Sequence, residues 1–305
     1  MRERITIGFA VCIVIIFLPY FLTLMITGLT GEGKTTESIH TISTGKTVSV
    51  EYGGEYKVLD VEEYLLGVLP GVAGSNQEPE VWKALAVIER TNIYRQMGGN
   101  TTVDEADLTE DYLTEEEIRE LWGERRYQKE CSEVEQAILT TAGQTMTYDG
   151  EYIMACYHMV SDGTTVSAEE MIGQAVPYLV SVDSGRDVES KDYMSLITIS
   201  KDEWKAADGR AHVLAVNKAT EHGYVQEVSI GEDLMSADEF CRKYQIPSYH
   251  FYIEDLGNDS NSYRIVALGK GSGMGLSIYG AGVMSREGKD YTDILKYYYP
   301  GVQIV

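Results

Sequence analysis

Hydrophobic positions are distributed along this chain in three ways. Residues 5–26 form an apolar run without a charge, long enough to cross a bilayer as a helix, and Pro19 could kink such a span without excluding it. Next come apolar positions with helical spacing. Val81, Ala84, Leu85 and Ile88 fall at i, i+3, i+4 and i+7, and Trp82, Ala86 and Val87 widen the stripe, which predicts a buried helix. Pro79 suits its first turn, Ser75, Asn76 and Glu78 are nearby capping candidates, and Gly98-Gly99 ends it. Just before it, Gly67 to Gly74 reads as a glycine-rich bend.

The third distribution is alternation, the mark of strands. Residues 47–60 read as a strand pair around Gly53-Gly54, and residues 133–158 as a short helix followed by two strands joined at Asp149-Gly150. Residues 178–225 alternate short strands with polar loops, with Asp202 and Glu203 opening a helix. Three further alternating stretches between 224 and 268 surround a short helix at Ser236–Tyr244. Between helix and hairpin, residues 104–120 are rich in carboxylates. Thr114 and Glu117 form a capping box there, which predicts an exposed helix; the acids lack the spacing and turn glycine of a calcium loop. The mixture predicts an α+β fold: an N-terminal transmembrane helix, then a mixed helix/strand exterior domain, to which the family resemblance described below adds a substrate cleft. The boundaries read as residues 1–27 for the cytoplasmic tip and anchor, 28–46 for a Gly-, Ser- and Thr-rich stalk, and 47–305 for the domain.

Charge sharpens this picture. The net charge of −23 disfavours nucleic acid, which needs basic patches. Arg2 and Arg4 precede the apolar run and predict a cytoplasmic N-terminus, with the main domain outside the cell membrane as a single-pass protein. The run is too long for a cleavable signal peptide, and no clear small-x-small cleavage site follows it. Cys12 lies in the span, leaving Cys131, Cys156 and Cys241 outside, too few and too scattered for a disulfide framework. Twenty-two tyrosines against five phenylalanines suggest half-wet aromatic positions, which sugar-binding clefts use, although most of them fit ordinary strand positions better.

Three motifs in order carry a family resemblance. The first is YLLGVLPGVAGSNQEPEVWKALAVIERT, in which Tyr64, Gly67, Val68, Glu80, Lys83, Ala84, Ala86, Val87, Arg90 and Thr91 fall in step, without a gap, with Y-x-x-G-V-V-x-x-E-M-P and E-A-L-K-A-Q-A-x-A-A-R-T. In the second, Thr141, Gly143, Tyr148, Gly150, Ile153, Ala155, Tyr157, His158, Ser161, Gly163 and Thr165 match. In the third, near the end of the chain, Gly271, Gly273, Gly275, Ser277, Tyr279, Gly280 and Ala281 are followed by Ile294, Leu295 and Tyr298 to Gly301. These residues resemble the stage II sporulation protein D family, which includes the amidase enhancers, over about residues 58–305.

The resemblance implies a protein acting on, or binding, peptidoglycan glycan strands during sporulation or cell-wall remodelling. Other cell-wall hydrolases or membrane-complex proteins are candidate partners, and no cofactor is expected. In the family's lytic transglycosylases a glutamate is the acid, and that position is Val72 here. The motif's histidine and glutamine become Ser272 and Ile278. The expectation is therefore a non-catalytic or regulatory member. One alternative is an active lytic transglycosylase with a displaced acid at Glu78 or Glu80, and another is a scaffold in a membrane complex. Val72, Arg90, His158, Ser161, Ser272, Ser277 and Tyr279 are the expected substrate-binding positions. No metal is expected, because the next histidines after His158 are the distant His212 and His222.

Overall fold

The computed structural model describes residues 43–52, 54–204, 213–257 and 259–305. The predicted span at 5–26 and most of the stalk lie outside the described residues. None of the described helices is long and apolar enough to cross a membrane.

The described chain is a mixed α+β structure of eight α-helices and several small sheets. It opens with the expected hairpin of β1 (Thr47–Tyr52) and β2 (Glu55–Asp60), and β3 (Thr102–Asp104) pairs parallel to β1. Asp60 then caps α1 (Val61–Ala73) by accepting from the Glu62 amide. The predicted bend at 67–74 is thus mostly helix, despite Gly67, Pro70 and Gly71. Those residues serve packing instead. A Cβ at Gly67 would overlap the Tyr112 ring, and the Gly67 carbonyl accepts from the Leu113 amide at 3.1 Å, so the 108–113 segment lies directly on the helix.

The helix read from the apolar stripe is α2 (Pro79–Met97), with Pro79 in its first turn and Gly98 in the left-handed conformation closing it. Val81, Trp82, Leu85, Val87 and Ile88 are wholly buried. Each such side chain contributes ~1.5–3 kcal/mol of burial, so truncating Ile88 to Ala would cost ~2–5 kcal/mol. Around α2 pack α1, α4 (Glu124–Thr140), α7 (Ile278–Arg286) and α8 (Tyr291–Tyr298). The Thr114–Glu117 capping box starts α3 (Glu115–Trp122) as read. The Asp149-Gly150 turn, with positive φ at both residues, joins β4 (Met146–Tyr148) to β5 (Glu151–Tyr152).

A second core lies in the strand-rich half. There β7 (Met194–Ser200) and β11 (Phe251–Asp255) flank β12 (Ser262–Leu268), and β8 (Leu214–Ala219) and β10 (Asp233–Ser236) flank β9 (Val225–Ile230). Helix α6 (Ala237–Tyr244), capped by Ser236, supplies Phe240 to the cluster shared with Val228, Phe251 and Ile265. Of the helix expected from Asp202, the described part, Lys201–Trp204, is a 3-10 turn, and the positions after it lie outside the described residues.

Between the two cores, β6 (Tyr157–His158) pairs parallel with β13 (Leu276–Ser277), bringing the second and third motifs side by side. The glycines of the third motif make that approach possible. At Gly275, with φ of +70°, a Cβ would overlap the Cys156 carbonyl. The remaining elements are the short α5 (Ala168–Ile172) and β14 (Gln303–Ile304), the latter pairing with β4.

Candidate functional site

Three cavities meet at Ser272. One of about 370 Å³ lies beside α2, with Tyr64 and Val68 of α1, Glu89 of α2, Glu110 and Tyr157 in its wall. A second of about 360 Å³ shares Tyr157 and Ser272 with the first and continues to Tyr249. The third, of about 610 Å³, shares Ser272 and Tyr249 and runs along β9 past Gln226 to Met171 and Ile172. Through these shared residues they adjoin as one trough, with Tyr64, Tyr157 and Tyr249 in its walls.

Glu89 is the unusual wall residue. It is 4% exposed, and its Oε1 has no hydrogen-bond partner. Across from it the Tyr157 hydroxyl donates to Glu110 Oε1 at 2.7 Å while also interacting with the Glu89 carboxyl. Burial, and then the negative charge of Glu110, push the Glu89 carboxyl up to about 8, with Tyr157 acting the other way. A hydroxyl has one proton, so Tyr157, which gives it to Glu110, cannot fully serve a second carboxylate, and burial and the Glu110 charge prevail at Glu89. The cluster is internally consistent when Glu89 carries the proton. It is a carboxylic acid held neutral near pH 7 in the wall of a trough.

The next residue along the helix is handled differently. Arg90 is completely buried; its Nε and Nη2 reach the two Glu62 oxygens at 2.8 and 2.6 Å, and Nη1 donates to the Gln144 carbonyl at 2.9 Å. Its charge is fully engaged inside α1 and α2, so Arg90 gives no charge to Glu89.

Of the seven expected substrate-binding residues, Ser272 alone lines the trough. Val72 is half-buried in the last turn of α1, one turn beyond Val68. His158 is buried with Nδ1 3.0 Å from the Met274 carbonyl and Nε2 without a partner; burial lowers its pKa and favours the neutral ring. Ser161 and Ser277 converge on buried Asp187, the Ser161 amide and the Ser277 hydroxyl each donating to Oδ2 at 2.6 Å. Ser277 also caps α7, and the Tyr279 amide donates to the Met159 carbonyl at 3.0 Å. These residues bind the second motif to the third beneath the trough floor. The fallback acids stand elsewhere. Glu78 accepts from Arg286 at 3.4 Å, and Glu80 holds Lys83 at 2.6 Å and the Tyr291 amide at 2.9 Å. They sit at the start of α2, roughly 13–16 Å along the axis from Glu89 at 1.5 Å per residue.

Sequence reasoning missed Glu89, Glu110 and Asp187. For Glu89 a signal existed: it interrupts the apolar run ALAVIERT where the resembling motif has alanine. Among the described residues no group of three or more His, Cys, Asp or Glu is placed to hold a metal.

Comparison with known proteins bears on what this trough serves. The family described as Stage II sporulation protein (SpoIID) matches residues 52–148, which include α1, α2, the Glu110 segment and the β4 strand. The stage II sporulation protein D of Bacillus subtilis is 30% identical over 259 residues, covering 81% of this chain and 74% of its own. The chain belongs to the stage II sporulation protein D family. The protein of the same name from Bacillus amyloliquefaciens is 29% identical over the same shares. An amidase enhancer of Bacillus subtilis is 24% identical over 79% of this chain, which spans 40% of that longer relative. Membership associates the chain with sporulation and cell-wall remodelling and accounts for the three motifs. The trough at Ser272 is where those motifs meet in this member of the stage II sporulation protein D family.

Proposed function

We propose that this protein binds peptidoglycan glycan strands at the outer face of the cell membrane, anchored through residues 5–26, and acts in cell-wall remodelling during sporulation. The observation that carries the reading is the shape of the site. Three cavities of about 370, 360 and 610 Å³ share Ser272 in their walls, more room than a single sugar fills, as a polymer requires. Its half-buried Tyr157 and Tyr249 suit the flat apolar faces and hydroxyl edges of sugar rings. Family membership and the uncharged, Arg-preceded run at 5–26 support the setting. Val72 places no acid at the motif position, so strand binding there does not include the family's usual proton donor.

The test is co-sedimentation of the full chain, in detergent, with insoluble peptidoglycan. Retention is expected, and it should weaken when Ser272→Trp fills the point where the cavities meet. Binding unaffected by that variant would place the strand elsewhere. Protease added to intact protoplasts should remove the main domain; protection would overturn the topology.

A further inference from the structure

We propose that Glu89 is a displaced general acid, giving its proton to the glycosidic oxygen of a strand lying in the trough, with Glu110 as the paired carboxylate across Tyr157. The proposal rests on the strand-binding reading above and adds bond cleavage to it.

The geometry carries three parts of the argument. Glu89 is 4% exposed yet lines the cavity, and one of its oxygens makes no hydrogen bond within the protein. An unpartnered buried carboxyl oxygen is costly, and a ligand that pairs with it recovers that cost. The second part is its company. Facing it are Tyr64 of α1, Glu110 and Asp107 of the acidic segment, and Tyr157 of β6. Cys156 and the exposed Arg95 line the same cavity, and buried Tyr299 lies within electrostatic reach of Glu89. The nearest cation by sequence, Arg90, is consumed by Glu62. The third part is the Tyr157 hydroxyl, whose single proton is donated to Glu110 and so is not free to settle a second carboxylate beside it. A buried carboxyl with a second carboxyl across a tyrosine, both beside a sugar-binding trough, is the pair of groups that acetal cleavage uses.

The step balances without an oxidant or reductant. As the bond from the anomeric carbon to the bridging oxygen breaks, its electron pair leaves with the oxygen, and the Glu89 proton joins that oxygen to make a sugar hydroxyl. Positive charge developing at the anomeric carbon is met by the negative Glu110. A hydroxyl, from the same sugar or from water, then bonds to the carbon and returns its proton to Glu89. A ring-closed end marks the first nucleophile and a reducing end the second.

The experiment is release of soluble fragments from purified peptidoglycan by the full chain in detergent, with co-sedimentation measured on the same samples. The wild type should cleave. Glu89→Gln, which copies the neutral acid in shape, should cut the rate by ~10²–10⁴-fold while still sedimenting with the wall. Glu110→Gln supplies a readout that a purely structural role would not move. Removing its negative charge should draw the alkaline limit of the rate profile to lower pH, because Glu89 then loses its proton more readily. Should Glu89→Gln misfold, Glu89→Asp, which withdraws the carboxyl by one methylene, should lower the rate with the melting temperature nearly kept. A wild type that binds but never cleaves, or Glu89→Gln cleaving at the wild-type rate, overturns the assignment. Failure of the wild type to bind overturns the strand-binding reading instead.

Discussion

Neighbouring positions on α2 bury two charged side chains and treat them in opposite ways. Arg90 turns into the packing against α1, where Glu62 meets it with both oxygens and the Gln144 carbonyl takes a third proton. Glu89, about 100° around the helix, turns to the trough and meets another acid and a tyrosine. A buried ion pair with matched hydrogen bonds fixes how two helices sit, and it leaves nothing over for a ligand. The unmatched acid fixes little, but it keeps a proton and a free oxygen. Burial alone therefore does not distinguish a structural charge from a functional one; the completeness of its partners does.

The largest effect should come from breaking the matched pair. Arg90→Ala strands Glu62 inside the protein and should cost ~3–5 kcal/mol, seen as a large fall in melting temperature. Glu62→Leu combined with Arg90→Met should recover much of that loss, as an apolar pair of similar volume needs no counter-charge.

Glu89 should move stability the other way, and with pH. Its folded value of about 8 stands above the ordinary 4.5, so in that window the folded chain keeps a proton that the unfolded chain has released. Stability then falls as pH rises through the window, by up to ~1.4 kcal/mol for each pH unit, and levels off above it. Denaturant titrations of Glu89→Gln should lack this slope and, at pH 8, show a gain of roughly a few kcal/mol over wild type, the slope accumulated across the window. An identical slope in both proteins would mean that Glu89 is ionised in the fold.

Smaller is the expected effect of Tyr157→Phe, ~1–3 kcal/mol, since it deletes the hydroxyl that both carboxyls use. It should also carry the pH dependence to higher pH, because the Tyr157 hydroxyl opposes the rise of the Glu89 carboxyl. At the bottom of the range, Glu78→Gln breaks an exposed pair with Arg286 and should change stability by less than ~1 kcal/mol without altering fragment release. Loss of release in that variant would return the proton donor to the start of α2.

Much of the fold was legible because the elements concerned declare themselves locally. The i, i+3, i+4, i+7 stripe, the Thr114–Glu117 box and the Asp149-Gly150 turn each involve residues close in sequence, and each appears where the pattern puts it. Helix α1 was read as a bend because Gly67, Pro70 and Gly71 lower helix propensity, and the packing of Tyr112 and Leu113 onto it comes from about 40 residues away. Arg90, one of the expected substrate-binding positions, is a buried residue paired with Glu62, which lies 28 positions earlier and is marked by no local pattern. The site was least legible. Motif positions such as His158, Ser161 and Ser277 fold into the joint beneath the trough. Whether Glu89 is exposed or enclosed depends on Glu110 and Tyr157, which are 21 and 68 positions further on.

Gly67 gives the trough an adjustable wall. The segment that carries Glu110 is held against α1 by the Leu113 amide on the Gly67 carbonyl and by Tyr112 stacked on Tyr64 at 5.7 Å between ring centres. One added methyl at position 67 would collide with that tyrosine ring and push the whole segment outward. The acidity of Glu89 would then be retuned from the far side of a helix, with no titratable atom exchanged. Relatives that vary at this position would differ in the spacing of two carboxyls as a dial differs in setting, while keeping the same parts.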